Sequence, residues 1–247
     1  MKPLIAMPVA FKPNRLMKDD LDLVSFKSMD AVKDFSISEE LLGDCKIFLL
    51  KDIFRGRTDL NCDQDFIALF AEYVRRLDEA SPASILEAHR NLMCLENKSN
   101  FRKEPVQVGV RKSSSIGFIA PFYEVKLEIV WLMDVCKKEK DIVALMVIFN
   151  FFFLHVHPFA DGNGRMSRLI LHKMLVERGF EKLSIFVSLI NLIEKERFVD
   201  RLHFARQYGL RHLYDYFLNL LTAARSMSKA YVRKGDGKGL EKFILDF

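Results

Sequence analysis

Along much of the chain, apolar residues recur every three or four positions with polar residues between them, the spacing that lines one face of a helix. The clearest case is Asp63 to Leu77, where Phe66, Leu69, Phe70, Tyr73 and Leu77 share a side. Ser38 is a good N-cap and is followed by Glu39 and Glu40. It opens a helix that carries Leu41, Leu42, Cys45, Phe48, Leu49 and Phe54 and stops at Gly56. Ser84 to Leu95 reads as a further helix, and Leu21, Val24 and Phe35 suggest a short one upstream. Met1 to Asp20 is Pro-rich and reads as an extended or disordered arm. The period changes to two between Glu104 and Ala120. Val106, Val108 and Val110 alternate with polar residues, Lys112 to Ser115 form a turn-like cluster, and Ile116 to Ala120 resume an apolar strand. Pro121 suits the opening of a helix over Phe122 to Cys136.

A third pattern follows. Ile142 to Leu154 is almost unbroken apolar sequence, the mark of a helix buried on all sides. Helical spacing returns over Met166 to Arg178 and ends at Gly179; Leu183 to Phe198 and Arg201 to Ala224 supply two or three more helices. Between two buried helices therefore sits one short polar loop, His157 to Arg168, reading HPFADGNGRMSR. So many polar groups beside a core are costly unless they bind something.

The loop's residue types suit phosphate chemistry. Pro158 disfavours helical geometry at His157, so the first helix ends there. Gly162 and Gly164 permit positive φ and close approach of a ligand to the backbone. The helix that starts just after them offers free N–H groups and a positive dipole end to an anion. Arg165 and Arg168, three apart, share a face, and guanidinium forks suit phosphate oxygens. Asp161 is a hard oxygen ligand of the kind that holds Mg²⁺ together with substrate phosphates. His157 can take a proton at neutral pH. The spacing is not that of a Walker A loop.

This stretch resembles the signature of the Fic family, HPFxxGNGRxxR with Asp or Glu at the second x, and every fixed position matches. The resemblance implies an all-α fold, a small helical core with a β-hairpin flap over the active site, here with additional N-terminal helices. It implies transfer of AMP from ATP to a Ser, Thr or Tyr hydroxyl of a target protein. It also implies roles: His157 as base, Asp161 on Mg²⁺, Gly162, Asn163 and Gly164 as phosphate cradle, Arg165 and Arg168 on the phosphates, and Phe159 as buried anchor. Ser114, Ser115, Ile116 and Gly117 are the implied flap edge, which would bind the target by strand addition. Arg102 and Pro121 fall where the family tends to carry an Arg before the flap and a Pro after it, and Tyr214, Tyr216, Phe217 and Leu218 resemble its closing helix. The resemblance runs from about Arg102 to Leu221. It divides the chain into an N-terminal arm and helical lobe (residues 1–100), a catalytic core with flap (101–225) and a C-terminal tail (226–247), with Arg233 to Gly239 as linker. Related Doc-type phosphotransferases carry a Lys where Gly164 stands, which disfavours that reading.

Many Fic proteins are restrained by a helix bearing S/T-x-x-x-E-G/N, whose Glu pairs with the second Arg of the signature. Ser36 and Glu40 match half of it, but Leu41 breaks it. Arg168 is thus expected to be unrestrained from within this chain; a separate antitoxin-like protein, another residue or no restraint at all remain open. Within the class, another nucleotide or a phosphocholine could be the transferred group. A non-catalytic interaction protein on the same fold is the second class of reading, against which the intact His157, Asp161 and Arg168 stand.

Composition narrows the rest. Half of the 247 residues are hydrophobic and 22 are Phe, enough for a sizeable core. The net charge of +5 does not demand nucleic acid, and no nucleic-acid module is recognisable. The longest apolar stretch is shorter than the ~17 residues of a membrane span. Cys45, Cys62, Cys94 and Cys136 are widely spaced and read as free, mostly buried thiols of a reducing compartment, so a cytoplasmic chain is expected. An effector delivered into a host cell has the same composition. His155 and His157 lack a third metal-ligand neighbour, and His89, His155, His172, His203 and His212 read as ordinary packed or surface histidines.

Overall fold

The apolar run after Lys140 becomes the axis of the structure. In a computed structural model of the chain, describing residues 32–55, 57, 59–77, 81–97, 99–108, 118–120, 124–231 and 238–246, nearly every residue of the helix Ile142–Val156 is buried. Asp141 caps it, its carboxylate accepting from the Ala144 N–H at 2.8 Å. In chain order the helices are α1 (Glu39–Ile53), α2 (Asp63–Arg76), α3 (Pro82–Leu92), α4 (Val125–Lys138), α5 (Ile142–Val156), α6 (Asn163–Val176), α7 (Glu181–Ile193), α8 (Lys195–Tyr208), α9 (Arg211–Ala230) and α10 (Lys238–Asp246). Helix α5 packs against α4, α6 and α9, while α1 lies along α7 and touches α6. This is the helical core expected of the sequence, with its additional N-terminal helices.

The expected Ser38 cap is in place, and a second cap at Asp65 accompanies it. Ser38 accepts from the Leu41 N–H at 3.3 Å to start α1, and Asp65 closes the start of α2 by accepting from the Asn61 and Cys62 N–H groups at 2.8 and 3.0 Å. Gly179 ends the turn after α6 at φ 82°. The described part of α4 begins at Val125, the expected start at Phe122 lying outside the described residues, and the apolar sequence after Gly179 breaks at Glu194 and Gly209 into α7, α8 and α9.

Two strands, β1 (Val106–Val108) and β2 (Phe118–Ala120), pair antiparallel with Val106 opposite Ala120 and Val108 opposite Phe118. The flap candidates Ser114, Ser115, Ile116 and Gly117 lie outside the described residues, as do the N-terminal arm, Gly56, Pro121 and most of the Arg233 to Gly239 segment. One buried cluster extends from Val32 to Ile244 and crosses both expected boundaries, near residues 100 and 225. The thiols divide evenly, Cys45 and Cys136 buried, Cys62 and Cys94 exposed. "Mostly buried" was thus too strong for a set in which two stand at or beyond helix ends. Among the described residues, no helix is long and apolar enough to cross a membrane.

Candidate active site

The polar loop is drawn tight by its own residues. Helix α5 ends at His157, whose backbone turns left-handed (φ 50°, ψ 60°). Pro158, which cannot continue the helix, follows. Phe159 then plunges into the core with no exposed surface. Asn163, also buried, closes the loop: its side chain accepts from the Phe159 N–H at 2.9 Å and donates to the Phe159 carbonyl at 2.8 Å. Its amide is therefore engaged within the loop, leaving its backbone N–H to offer a ligand. Gly162 sits at φ 81° as the N-cap of α6, where a Cβ would lie 2.7 Å from the Met93 sulfur. Only Gly satisfies both the dihedral and the space. Gly164, against expectation, lies within α6 and has no positive φ. It is exposed, and the absence of a side chain leaves the first turn of the helix open. By helix geometry the N–H groups of Asn163, Gly164 and Arg165 have no intrahelical acceptor.

These groups border one cavity of about 680 Å³, within the usual range of small-molecule sites. His157, Asp161, Gly164, Arg165 and Arg168 line one part of it, and α7 and α8 the other. The His157 Nδ1 donates to the Leu154 carbonyl at 3.2 Å, which leaves Nε2 as the basic nitrogen. Burial lowers the His157 pKa from its ordinary value. Arg102 pushes in the same direction, while the Leu154 bond and Asp161 oppose it. The imidazole is thus neutral, and able to accept a proton, at neutral pH.

Asp161 is the exposed member, its side chain 80% accessible. One of its oxygens accepts from the Gly162 N–H at 2.6 Å and the other lies 4.0 Å from Arg165. A single open carboxylate beside a phosphate cradle fits Mg²⁺, which commonly completes its shell with substrate phosphates and water.

The two arginines diverge. Arg165 is nearly buried, donating to the Met93 sulfur at 2.8 Å and reaching the Arg55 carbonyl at 3.5 Å. Arg168 forms an ion pair with Asp52 near the end of α1. Burial lowers its pKa and Asp52 opposes that shift. This overturns the expectation that nothing within the chain restrains Arg168. The six-residue inhibitory pattern was sought for a Glu, whereas a shorter Asp reaches the guanidinium because α1 packs directly on α6. Asp52 continues the buried stripe of Cys45 and Leu49, and a carboxylate ending an apolar stripe was the available signal.

His89 is a second residue read as ordinary that belongs to the site. It is buried on α3, in the stripe of Ile85 and Leu92, and stacks on Phe159 with ring centroids 3.7 Å apart and planes 2° apart. Its Nε2 donates to the Asp161 carbonyl at 2.9 Å, and its Nδ1 accepts from the Ser99 hydroxyl at 2.6 Å. His155 is buried in the wall of the same cavity. Its Nδ1 donates to the Phe151 carbonyl at 2.6 Å, and burial pushes its pKa down to about 3.

Comparison with known proteins agrees with this geometry. The sequence profile of the Fic/DOC family matches residues 79–175, a span that begins before α3 and so takes in His89. A probable protein adenylyltransferase of Aquifex aeolicus is 34% identical over 114 residues, 43% of this chain and 33% of that protein. The protein adenylyltransferase fic-1 of Caenorhabditis elegans is 25% identical over 178 residues, 65% of this chain and 32% of that protein. The protein adenylyltransferase Fic of Drosophila willistoni is 30% identical over 118 residues, 47% of this chain and 23% of that protein. The matched stretches span a third or less of these relatives. The crystal structure of a Fic family protein from Desulfovibrio desulfuricans shares the fold, with a TM-score of 0.60 over 84% of this chain and 74% of that one at 18% identity.

Proposed function

We propose that this chain, whose residues 79–175 match the Fic/DOC family profile, transfers AMP from ATP to a Ser, Thr or Tyr hydroxyl of another protein. The observation that carries the reading is the convergence on one cavity of a neutral imidazole, an open helix N-terminus and, beside that N-terminus, the exposed carboxylate of Asp161. The names of the relatives, protein adenylyltransferases, point to the same chemistry.

In this reading the phosphates of ATP lie on the N–H groups of Asn163, Gly164 and Arg165, where the helix dipole favours negative charge. Asp161 would hold Mg²⁺, which supplies charge neutralisation to the phosphates. Nε2 of His157 removes the proton of the target hydroxyl as its oxygen bonds to the α-phosphorus. The bond from that phosphorus to the pyrophosphate oxygen breaks, and pyrophosphate leaves. Arg165 and Arg168, which line the same cavity, would stabilise the departing charge. The strand pair β1 and β2, with Ser114 to Gly117 between them in sequence, would hold the target's backbone by strand addition.

Arg168 can serve a phosphate only if it releases Asp52. The pair would therefore act as a brake carried within the chain. A reducing, ATP-rich cytoplasm suits both the substrate and the free thiols. The test is incubation of the purified chain with α-labelled ATP, Mg²⁺ and cell lysate, beside the His157→Ala variant. A labelled protein band that depends on His157 is the expected result. Equal labelling by both proteins, or label only from GTP, UTP or CDP-choline, would replace the reading.

A further inference from the structure

Arg102 precedes β1 and is almost wholly buried, and its guanidinium reaches backbone on two sides. The Nε donates to the His157 carbonyl at 2.6 Å and Nη2 to the Val156 carbonyl at 2.8 Å, while Nη1 donates to the Glu104 carbonyl at 2.7 Å. Its own N–H donates to the Pro158 carbonyl at 3.0 Å. Three of these hydrogen bonds join the end of α5 to the segment leading into the strand pair, and the fourth, to Glu104, fixes the guanidinium within that segment.

Helix ends leave carbonyls without intrahelical donors, and a cation there is favoured by the dipole. The Val156 and His157 carbonyls are such groups. His157 also pays for its left-handed backbone, which costs a residue other than Gly on the order of 1–2 kcal/mol. Conformations of this kind persist only where the surroundings over-determine them. The fork of Arg102 is that surrounding: it grips the carbonyl of the left-handed residue and those on either side are gripped by Nη2 and by the Arg102 N–H.

We propose that Arg102 is the positioning residue of His157, holding its left-handed backbone so that the imidazole faces the cavity and linking that geometry to the base of the β1–β2 pair. The proposal rests on the reading of His157 as the base. Three charged or titratable groups bear on that imidazole: Arg102 from the lead-in to β1, Asp161 from the loop and His155 from α5 itself. Arg102 opposes its protonation and Asp161 favours it. A planar fork is required for the grip; a lysine keeps the charge but cannot span three carbonyls.

The experiment uses the full chain with Arg102→Gln and Arg102→Lys. The titration of His157 is followed by NMR on histidine-labelled protein, assigned by its loss in His157→Ala, and kcat and KM for ATP are measured in the labelled transfer reaction. Arg102→Gln is expected to raise the His157 titration point and to lower kcat about a hundredfold, the scale of a misplaced catalytic group, with KM little changed. Arg102→Lys should keep the low titration point and still lose kcat. A folded Arg102→Gln protein with unmoved titration and unmoved kcat overturns the proposal, as does an Arg102→Lys protein with full kcat. Should Arg102→Gln fail to fold, Arg102→Lys decides alone. Should the wild-type chain transfer nothing, the functional reading fails, and the titration arm still tests Arg102 separately.

Discussion

The loop from His157 to Arg168 and the segments that brace it divide the work of the site unequally. The loop carries the proposed base and every group proposed to meet the phosphates, within twelve consecutive residues. The brace comes from distant parts of the chain: Asp52 on α1, His89 on α3, Ser99 and Arg102 before β1. None of these touches the cavity chemistry as proton acceptor or phosphate donor in the proposed reaction. They decide whether the loop's groups point the right way and whether they are free. Chemistry can be local in sequence because a turn and a helix start bring the needed groups together. Geometry cannot, because a left-handed residue, a strained glycine and a buried guanidinium each need neighbours from other elements.

The largest effect tests the loop side of this division. His157→Ala should lower kcat by about 10²–10⁴-fold, the usual worth of a positioned base, and leave nucleotide affinity, measured by calorimetry, close to wild type. A comparable loss of affinity would mean that His157 binds rather than reacts. Asp52→Ala tests the brace in the opposite direction. Freeing Arg168 should raise transfer by about 5–150-fold, an ordinary coupling between groups, while thermal stability falls because a largely buried pair loses one member. Unchanged transfer in a folded variant would show the pair to be structural only.

His89→Phe is expected to act more gently. It preserves the stack on Phe159 but removes the bonds to the Asp161 carbonyl and Ser99. Stability should drop by about 1 kcal/mol on the scale of one net hydrogen bond, and transfer should require more Mg²⁺ as the loop loosens. An unchanged Mg²⁺ dependence would confine His89 to packing.

The smallest effect is read without any substrate. Burial holds His155 and His172 at about 3 in the folded chain, against 6.5 as the ordinary value. Between these values the unfolded chain takes up protons that the folded one refuses. Stability is therefore full above about pH 6.5 and is lost as the pH falls toward 3, with a slope of at most about 1.4 kcal/mol per pH unit for each histidine. Urea unfolding across that range checks it, and His172→Gln should flatten the slope. A slope that survives removal of both imidazoles would assign the loss to other groups.

How far the sequence reached depended on the range of the interaction. The buried axis α5, the cap at Ser38 and the stop at Gly179 follow from residues within a turn or two of one another, and all were legible. So was Gly162, since a glycine before a helix start has a local reason. Gly164 was misjudged because its openness serves the cavity rather than a dihedral angle. The helix start after Gly179 was displaced from Leu183 to Glu181, since the apolar residues of a helix do not mark its first turn.

His89 and Asp52 escaped because each sits in a helical stripe that reads as plain core or plain surface. Only the packing of α3 against the loop turns an imidazole into a stacking partner. Only the packing of α1 on α6 brings Asp52, 116 residues away in sequence, to Arg168.

By itself, then, the sequence determined the helical class, the position of the loop and the chemistry that its side chains can perform, because periodicity, capping and the signature are local properties. Tertiary structure alone decided that His157 is held left-handed by Arg102, that His89 bonds the Asp161 carbonyl and that Arg168 is engaged by Asp52. Each of those depends on a hydrogen bond or ion pair whose partner is brought near only when the helices pack.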